Sequence, residues 1–128
     1  MDRSRRVLVV EDDETLRDTL GEVMADEGHD VRLASNGADA LERLEDWDPD
    51  LVILDLMMPH MDAYEFRRRQ QRLGAAASAK VLILSAARDL ESASSRLEAD
   101  AWLGKPFTLG EMMDTVSRLL DSGASGAS

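Results

Sequence analysis

Apolar residues along this chain fall into two alternating patterns. Short, solid apolar runs occur at Val7–Val10, Leu51–Leu54, Val81–Leu84 and Ala101–Leu103, with a weaker one, interrupted by Arg32, at Val31–Ala34. Between them, apolar positions recur every three or four residues, which is the period of a helix buried on one face. Leu16, Leu20, Val23 and Met24 form the first such stripe, closed by Gly28. Ala40, Leu41 and Leu44 form a second, ended before Pro49, with turn chemistry ahead of it in Ser35-Asn36-Gly37. Tyr64 to Leu73 reads as a third helix with a thin stripe. Leu90, Ala93 and Leu97 mark a short, polar fourth. In the fifth, Thr108 and Glu111 fit a capping box ahead of Leu109, Met112, Met113, Val116, Leu119 and Leu120.

Five strand–helix units follow from this alternation. Strands that are apolar on both faces and separated by helices predict a parallel sheet covered on both sides, an α/β doubly wound fold. Residues 1–121 are expected to form the domain. Residues 122–128 contain only Ser, Gly and Ala, and read as a flexible tail or linker.

Composition narrows the function. The 128 residues carry a formal net charge of -11. Nucleic acid is bound largely through basic contacts to phosphate, so direct DNA or RNA binding by this domain is not expected. There are no cysteines, which removes disulfides and thiolate metal sites. The sequence has no apolar run of membrane-spanning length and no signal-like start, so a soluble, cytoplasmic protein with no membrane partner is expected.

The chemistry gathers where the strands end. Parallel sheets of this kind bind ligands beyond the carboxyl ends of their strands. There the first strand leads into Glu11, Asp12 and Asp13, the third ends on Asp55, the fourth on Ser85, and the fifth is followed by Lys105. Carboxylates brought together repel, so one must protonate or a cation must bind. A few carboxylates plus water suit Mg²⁺. A carboxylate nucleophile, a divalent ion, a lysine and a hydroxyl together make a phosphoryl-transfer site. Asp13 reads as the cap of the first helix.

In this order, Glu11-Asp12 after "VLVV", Asp55 in "DLMMPHMD", Ser85 in "LILSA", Trp102, and Lys105-Pro106-Phe107 resemble the response-regulator receiver domains of two-component signalling. The likeness runs from about Arg6 to Leu120. It implies a five-stranded parallel sheet with five helices, flavodoxin-like (CheY-like), in strand order 2-1-3-4-5. It further implies that Asp55 accepts a phosphoryl group from a sensor histidine kinase or phosphotransfer protein. Glu11, Asp12, Asp55 and the backbone carbonyl of Met57 would hold Mg²⁺. Lys105 would pair with Asp55 or its phosphate. Ser85 would bond a phosphate oxygen, and Trp102 would turn inward, shifting the face made by the fourth helix, fifth strand and fifth helix. An output domain or downstream protein would receive the signal, and a phosphorylation-dependent homodimer is compatible with the likeness. Apart from its own phosphorylation and dephosphorylation, no enzyme activity is implied.

The chain departs from the receiver pattern in places. Glu98 and Ala63 stand where glycine is common, Trp102 is bulkier than the usual Tyr or Phe, and Thr115 lies near an expected arginine. Met57 and Ala87 offer no group to orient a hydrolytic water. Rival readings fit less well. A haloacid-dehalogenase-type phosphatase needs an acid two residues past its nucleophile, where this chain has Met57. A nucleotide or flavin module needs a phosphate-cradling first loop, and this one holds three acids. A receiver-shaped domain that is never phosphorylated would not need the full set. The arginines at 67, 68, 69 and 72 read as a hydrated helix face, with a docking surface for an acidic partner as the alternative.

Overall fold

A computed structural model describes residues 5–56, 63–73, 78–86 and 95–125, with side chains as far as residue 121. Its elements are β1 (Arg6–Val10), α1 (Glu14–Asp26), β2 (Asp30–Ala34), α2 (Gly37–Arg43), β3 (Leu51–Asp55), α3 (Ala63–Gln70), β4 (Lys80–Ser85), β5 (Ala101–Gly104) and the last helix, α4 (Leu109–Ser125). The five strands are parallel in the order β2-β1-β3-β4-β5, as expected. Four helices lie among the described residues. Of the further helix expected before β5, Leu90 and Ala93 fall outside them, while Ser95 and Arg96 are helical and Leu97 is buried.

The apolar runs are solid because the sheet is covered twice. Successive strand side chains point to opposite faces. Leu8, Val10, Val52, Leu54, Val81 and Ile83 pack with Ala40 of α2 and Phe66 of α3 on one face. Val7, Val9, Leu51, Ile53, Leu82 and Leu84 pack with Leu20 and Met24 of α1 and Met112 and Val116 of α4 on the other. A strand with one wet face would have alternated apolar and polar residues instead.

Local signals set the helix ends. The Asp13 carboxylate accepts from Leu16 N–H at 3.2 Å and caps α1, as read from the sequence. The helix is closed by Gly28 at φ +93°, a conformation that costs glycine little. Asn36 caps α2 through Asp39 N–H. The box before α4 is reciprocal: Thr108 N–H donates to Glu111 Oε1 at 2.8 Å, and Glu111 N–H to Thr108 Oγ1 at 3.0 Å. The backbone of α4 stays helical to Ser125, into the stretch read as a tail.

The thin stripe of α3 has a specific cause. Its buried positions are Ala63, Phe66, Arg67 and Gln70, so two of the four are polar. Ala63 is helical, and the turn glycine common at that point is not needed: among the described residues, Glu98 is the non-glycine with positive φ.

Candidate functional site

Strand register brings the polar residues to one level. Val10 pairs with Leu54, so Glu11 and Asp55 follow side by side. Ser85 pairs with Gly104, which places Lys105 just beyond them. The crossing is held by Lys105 N–H donating to Ser85 O at 2.9 Å and by Leu56 N–H donating to Leu84 O at 2.8 Å. Residues 94 and 50 positions apart in the chain thereby meet: Lys105 Nζ donates to Glu11 Oε1 at 3.1 Å and to Asp55 Oδ2 at 3.2 Å.

Burial shapes the chemistry of this cluster. Glu11 is 0% exposed and Asp55 4%, whereas Asp12 is exposed. Desolvation, reinforced by the neighbouring Asp55 carboxylate, pushes the Glu11 carboxyl up to about 7, against the pull of Asp13 N–H and Lys105. Burial draws the Lys105 ammonium down, but its bond to Glu11 and the charge of Asp55 outweigh this and raise its pKa above the usual lysine range. The lysine is therefore a fixed cation between two carboxylates.

The donor set fits a hard divalent cation. Glu11, Asp12 and Asp55 each offer a carboxylate oxygen, and these oxygens lie within 4.8 Å of one another. Both Glu11 oxygens already have partners, since Oε1 takes Lys105 and Oε2 accepts Asp13 N–H at 3.1 Å. Asp12 is the open one. One cation against three acids leaves the cluster with surplus negative charge even when Glu11 is protonated.

Ser85 is buried at the end of β4, with 1% exposure. Trp102 lies on the edge strand β5 with 43% exposure, so its ring faces outward. Met57 and Ala87 lie outside the described residues.

Comparison with known proteins agrees with this geometry. A family model described as the response regulator receiver domain matches residues 7–117. The chain belongs to the response regulator receiver domain family. Relatives of this receiver domain include the response regulator MprA of Mycobacterium sp. (strain KMS), 35% identical over 117 residues, covering 90% of this chain and 50% of the relative. The MprA of Mycobacterium tuberculosis is 35% identical over 119 residues, covering 91% and 51%. The chain thus spans about half the length of the curated relatives it matches. Among solved structures, the chemotaxis response regulator CheY4 of Vibrio cholerae superposes with a TM-score of 0.84 at 25% identity, covering 91% of this chain and 98% of that one. The HemR receiver domain of Leptospira biflexa gives 0.81 at 27% identity, covering 91% and 94%. The CheY-like, flavodoxin-like fold is shared throughout.

One buried site escaped the sequence reading. Arg67, taken as part of a hydrated arginine face, is 7% exposed. Its Nε donates to Leu97 O at 2.8 Å, Nη2 to Glu98 O at 3.1 Å, and Nη1 to Gln70 Oε1 at 2.9 Å. The available signal was helical spacing, since Arg67 falls on the same side as Ala63, Phe66 and Gln70. Arg68 and Arg69 are exposed as expected, and both pair with Glu65.

Proposed function

We propose that this receiver domain is a phosphorylation-activated switch in which Asp55 accepts a phosphoryl group from the phosphohistidine of a sensor histidine kinase or phosphotransfer protein. The phosphorus–nitrogen bond of the donor breaks as an Asp55 oxygen bonds phosphorus, and the freed histidine nitrogen takes up a proton. The observation that carries this reading is Lys105 bridging Glu11 and Asp55 beside the open Asp12 carboxylate.

Glu11, Asp12, Asp55 and the carbonyl of Met57 would hold Mg²⁺. When bound, it would shield the oxygens of the incoming phosphoryl group, which otherwise meet three carboxylates. Glu11 keeps Lys105 in place and Asp12 supplies the accessible oxygen. After transfer, Lys105 gains a dianionic partner, and the Ser85 hydroxyl, buried at the next strand end, gains an acceptor. These bonds exist only in the phosphorylated state, so they bias a two-state equilibrium. Trp102, exposed on β5, would turn inward as Ser85 is drawn to the phosphate. The face of the helix before β5, β5 and α4 would then change and control an output domain or downstream protein, with a homodimer as one form of that response. The domain, residues 1–121, acts in the cytoplasm and catalyses its own phosphorylation and dephosphorylation. Among the described residues, no helix is long and apolar enough to cross a membrane.

The test is incubation with acetyl phosphate and Mg²⁺ followed by intact-mass spectrometry. A single phosphoryl addition is expected, lost on chelation and absent from Asp55→Asn. Labelling that persists in Asp55→Asn, or no labelling from any phosphodonor, overturns the assignment.

A further inference from the structure

The opposite edge of the sheet presents a surface with no part in phosphoryl chemistry. Among the described residues, β2 is an outer strand paired only to β1. Asp30 N–H donates to Arg5 O at 2.8 Å, and Ala34 O accepts from Glu11 N–H at 3.1 Å. Backbone groups alternate sides along a parallel strand, so Asp30, Arg32 and Ala34 face β1. The N–H and C=O groups of Val31 and Leu33 therefore point out of the sheet, and no described residue bonds them there.

The same two residues line a groove of about 390 Å³ beside α1, together with Gly21 and Ala25. Small α1 residues keep this groove open. A Cβ at Gly21 would come to 3.0 Å from Leu33 Cδ2, a tight contact that the leucine side chain would have to move to relieve. Asp18 and Glu22, exposed one helical turn apart, also line it, and Asp30 is exposed at the strand's start. The one cation of the strand, Arg32, is turned to the other face, where its guanidinium lies 4.8 Å from the Trp47 ring.

An unprotected strand edge is a template for another strand, and native proteins usually blunt it. Here the edge combines open main-chain groups, apolar side-chain positions and an acidic margin. We propose that the β2 edge and its acid-lined groove dock an extended, cationic segment of a partner protein by strand addition. Main-chain bonds to Val31 and Leu33 would supply affinity, and alternate apolar residues would enter the groove. Basic residues between them would meet Asp18, Glu22 and Asp30. A second copy of this chain fits worse, because pairing two β2 edges would bring the same acids of both copies together. The proposal does not rest on the phosphoryl-transfer reading.

The probe is a short capped peptide of alternating lysine and valine, titrated into the isotope-labelled full chain and followed by amide NMR. Shifts concentrated at Val31, Leu33 and Asp18 to Ala25 are expected, with none from the glutamate–valine peptide. The double variant Asp18→Lys with Glu22→Lys, both exposed and so neutral to folding, should weaken binding about tenfold. The idea is overturned by shifts scattered over the acidic surface, by undiminished binding to the double variant, or by no shifts at all. Sedimentation showing a dimer that itself shifts Val31 and Leu33 would equally overturn it, by giving the edge to a second copy.

Discussion

Two buried clusters in this receiver domain solve the same problem in opposite ways. Around Lys105, one ammonium faces Glu11, Asp55 and the nearby Asp12, so formal charges outnumber their compensation. Around Arg67, the guanidinium's hydrogen bonds go to neutral groups, two carbonyls and the amide of Gln70, while the nearby carboxylates of Asp100 and Glu98 support its charge without bonding it. Burying an ion costs free energy in both places. At Arg67 that cost is met by hydrogen bonds that leave the site complete. At Lys105 it is left partly unmet, and the remaining negative charge is what a divalent cation can neutralise. Completeness marks a structural site, and a standing imbalance marks a chemical one.

Arg67 has a further task. Its carbonyl partners lie at the end of the helical segment preceding β5, and Glu98 there adopts φ +56°. That conformation costs a non-glycine residue about 1 kcal/mol. The cation offsets it by bonding the last carbonyls, as basic groups do at helix C-termini. Arg96, stacked 5.5 Å from the Tyr64 ring, ties the same segment to α3. The sharpest test of the contrast is therefore Arg67→Leu. It strips partners from two carbonyls and a buried amide, and should lower unfolding free energy by about 2–4 kcal/mol. Urea denaturation measures this. Acetyl phosphate labelling of the folded protein should be unchanged; if labelling is lost while the fold persists, the separation of the two clusters fails.

The second test acts on the unbalanced cluster through pH. Glu11 titrates near 7 in the folded protein against 4.5 ordinarily. Between those values the folded state holds a proton that the unfolded chain has released. Metal-free stability from this group is thus greatest below pH 4.5 and is lost as pH rises through 7. Metal binding runs the other way, because it favours the ionised carboxylate and expels the proton. Mg²⁺ affinity should rise about tenfold between pH 6 and 8, read by titration calorimetry in buffers of differing ionisation enthalpy. A flat profile would mean that Glu11 is already ionised and that the cluster is better balanced than its burial implies.

Much of this was legible from the chain, for reasons that also explain the gaps. Solid apolar runs are dictated by two-sided burial, so the strands and their parallel arrangement could be read from pattern, while their order came from the receiver resemblance. Glu11, Asp55, Ser85 and Lys105 were readable because each sits at the carboxyl end of a strand or just past it, and register then does the rest. Glu98 was recognisable as out of place where glycine is common, and it has the positive φ that explains the preference. Arg67 was missed because an arginine among arginines looks solvated. Its burial depends on carbonyls thirty and thirty-one residues away, at Leu97 and Glu98, which no local pattern reports. The pairing of Lys105 with Glu11 as well as Asp55 was hidden for the same reason: distance along the chain conceals which of two acids a lysine will meet.

The smallest expected effect bears most directly on what imbalance means. If carboxylate crowding is retained for function, removing one carboxylate should stabilise the metal-free protein even though an ion pair goes with it. Asp55→Asn keeps the shape and a hydrogen-bonding oxygen for Lys105. It removes the charge and hydrogen bond that push Glu11 upward, so Glu11 ionises more readily and becomes the full partner of the lysine. One cation then faces one buried anion, with Asp12 in solvent. The gain expected at pH 7, low salt and without metal is about 1 kcal/mol, read as a higher midpoint in urea with an unchanged slope. Adding Mg²⁺ should erase the difference, since the native acid then regains its counter-ion and the amide does not bind it as well. A destabilised Asp55→Asn would show instead that the Lys105–Asp55 contact outweighs the repulsion, and that this cluster, like that of Arg67, is held for the fold.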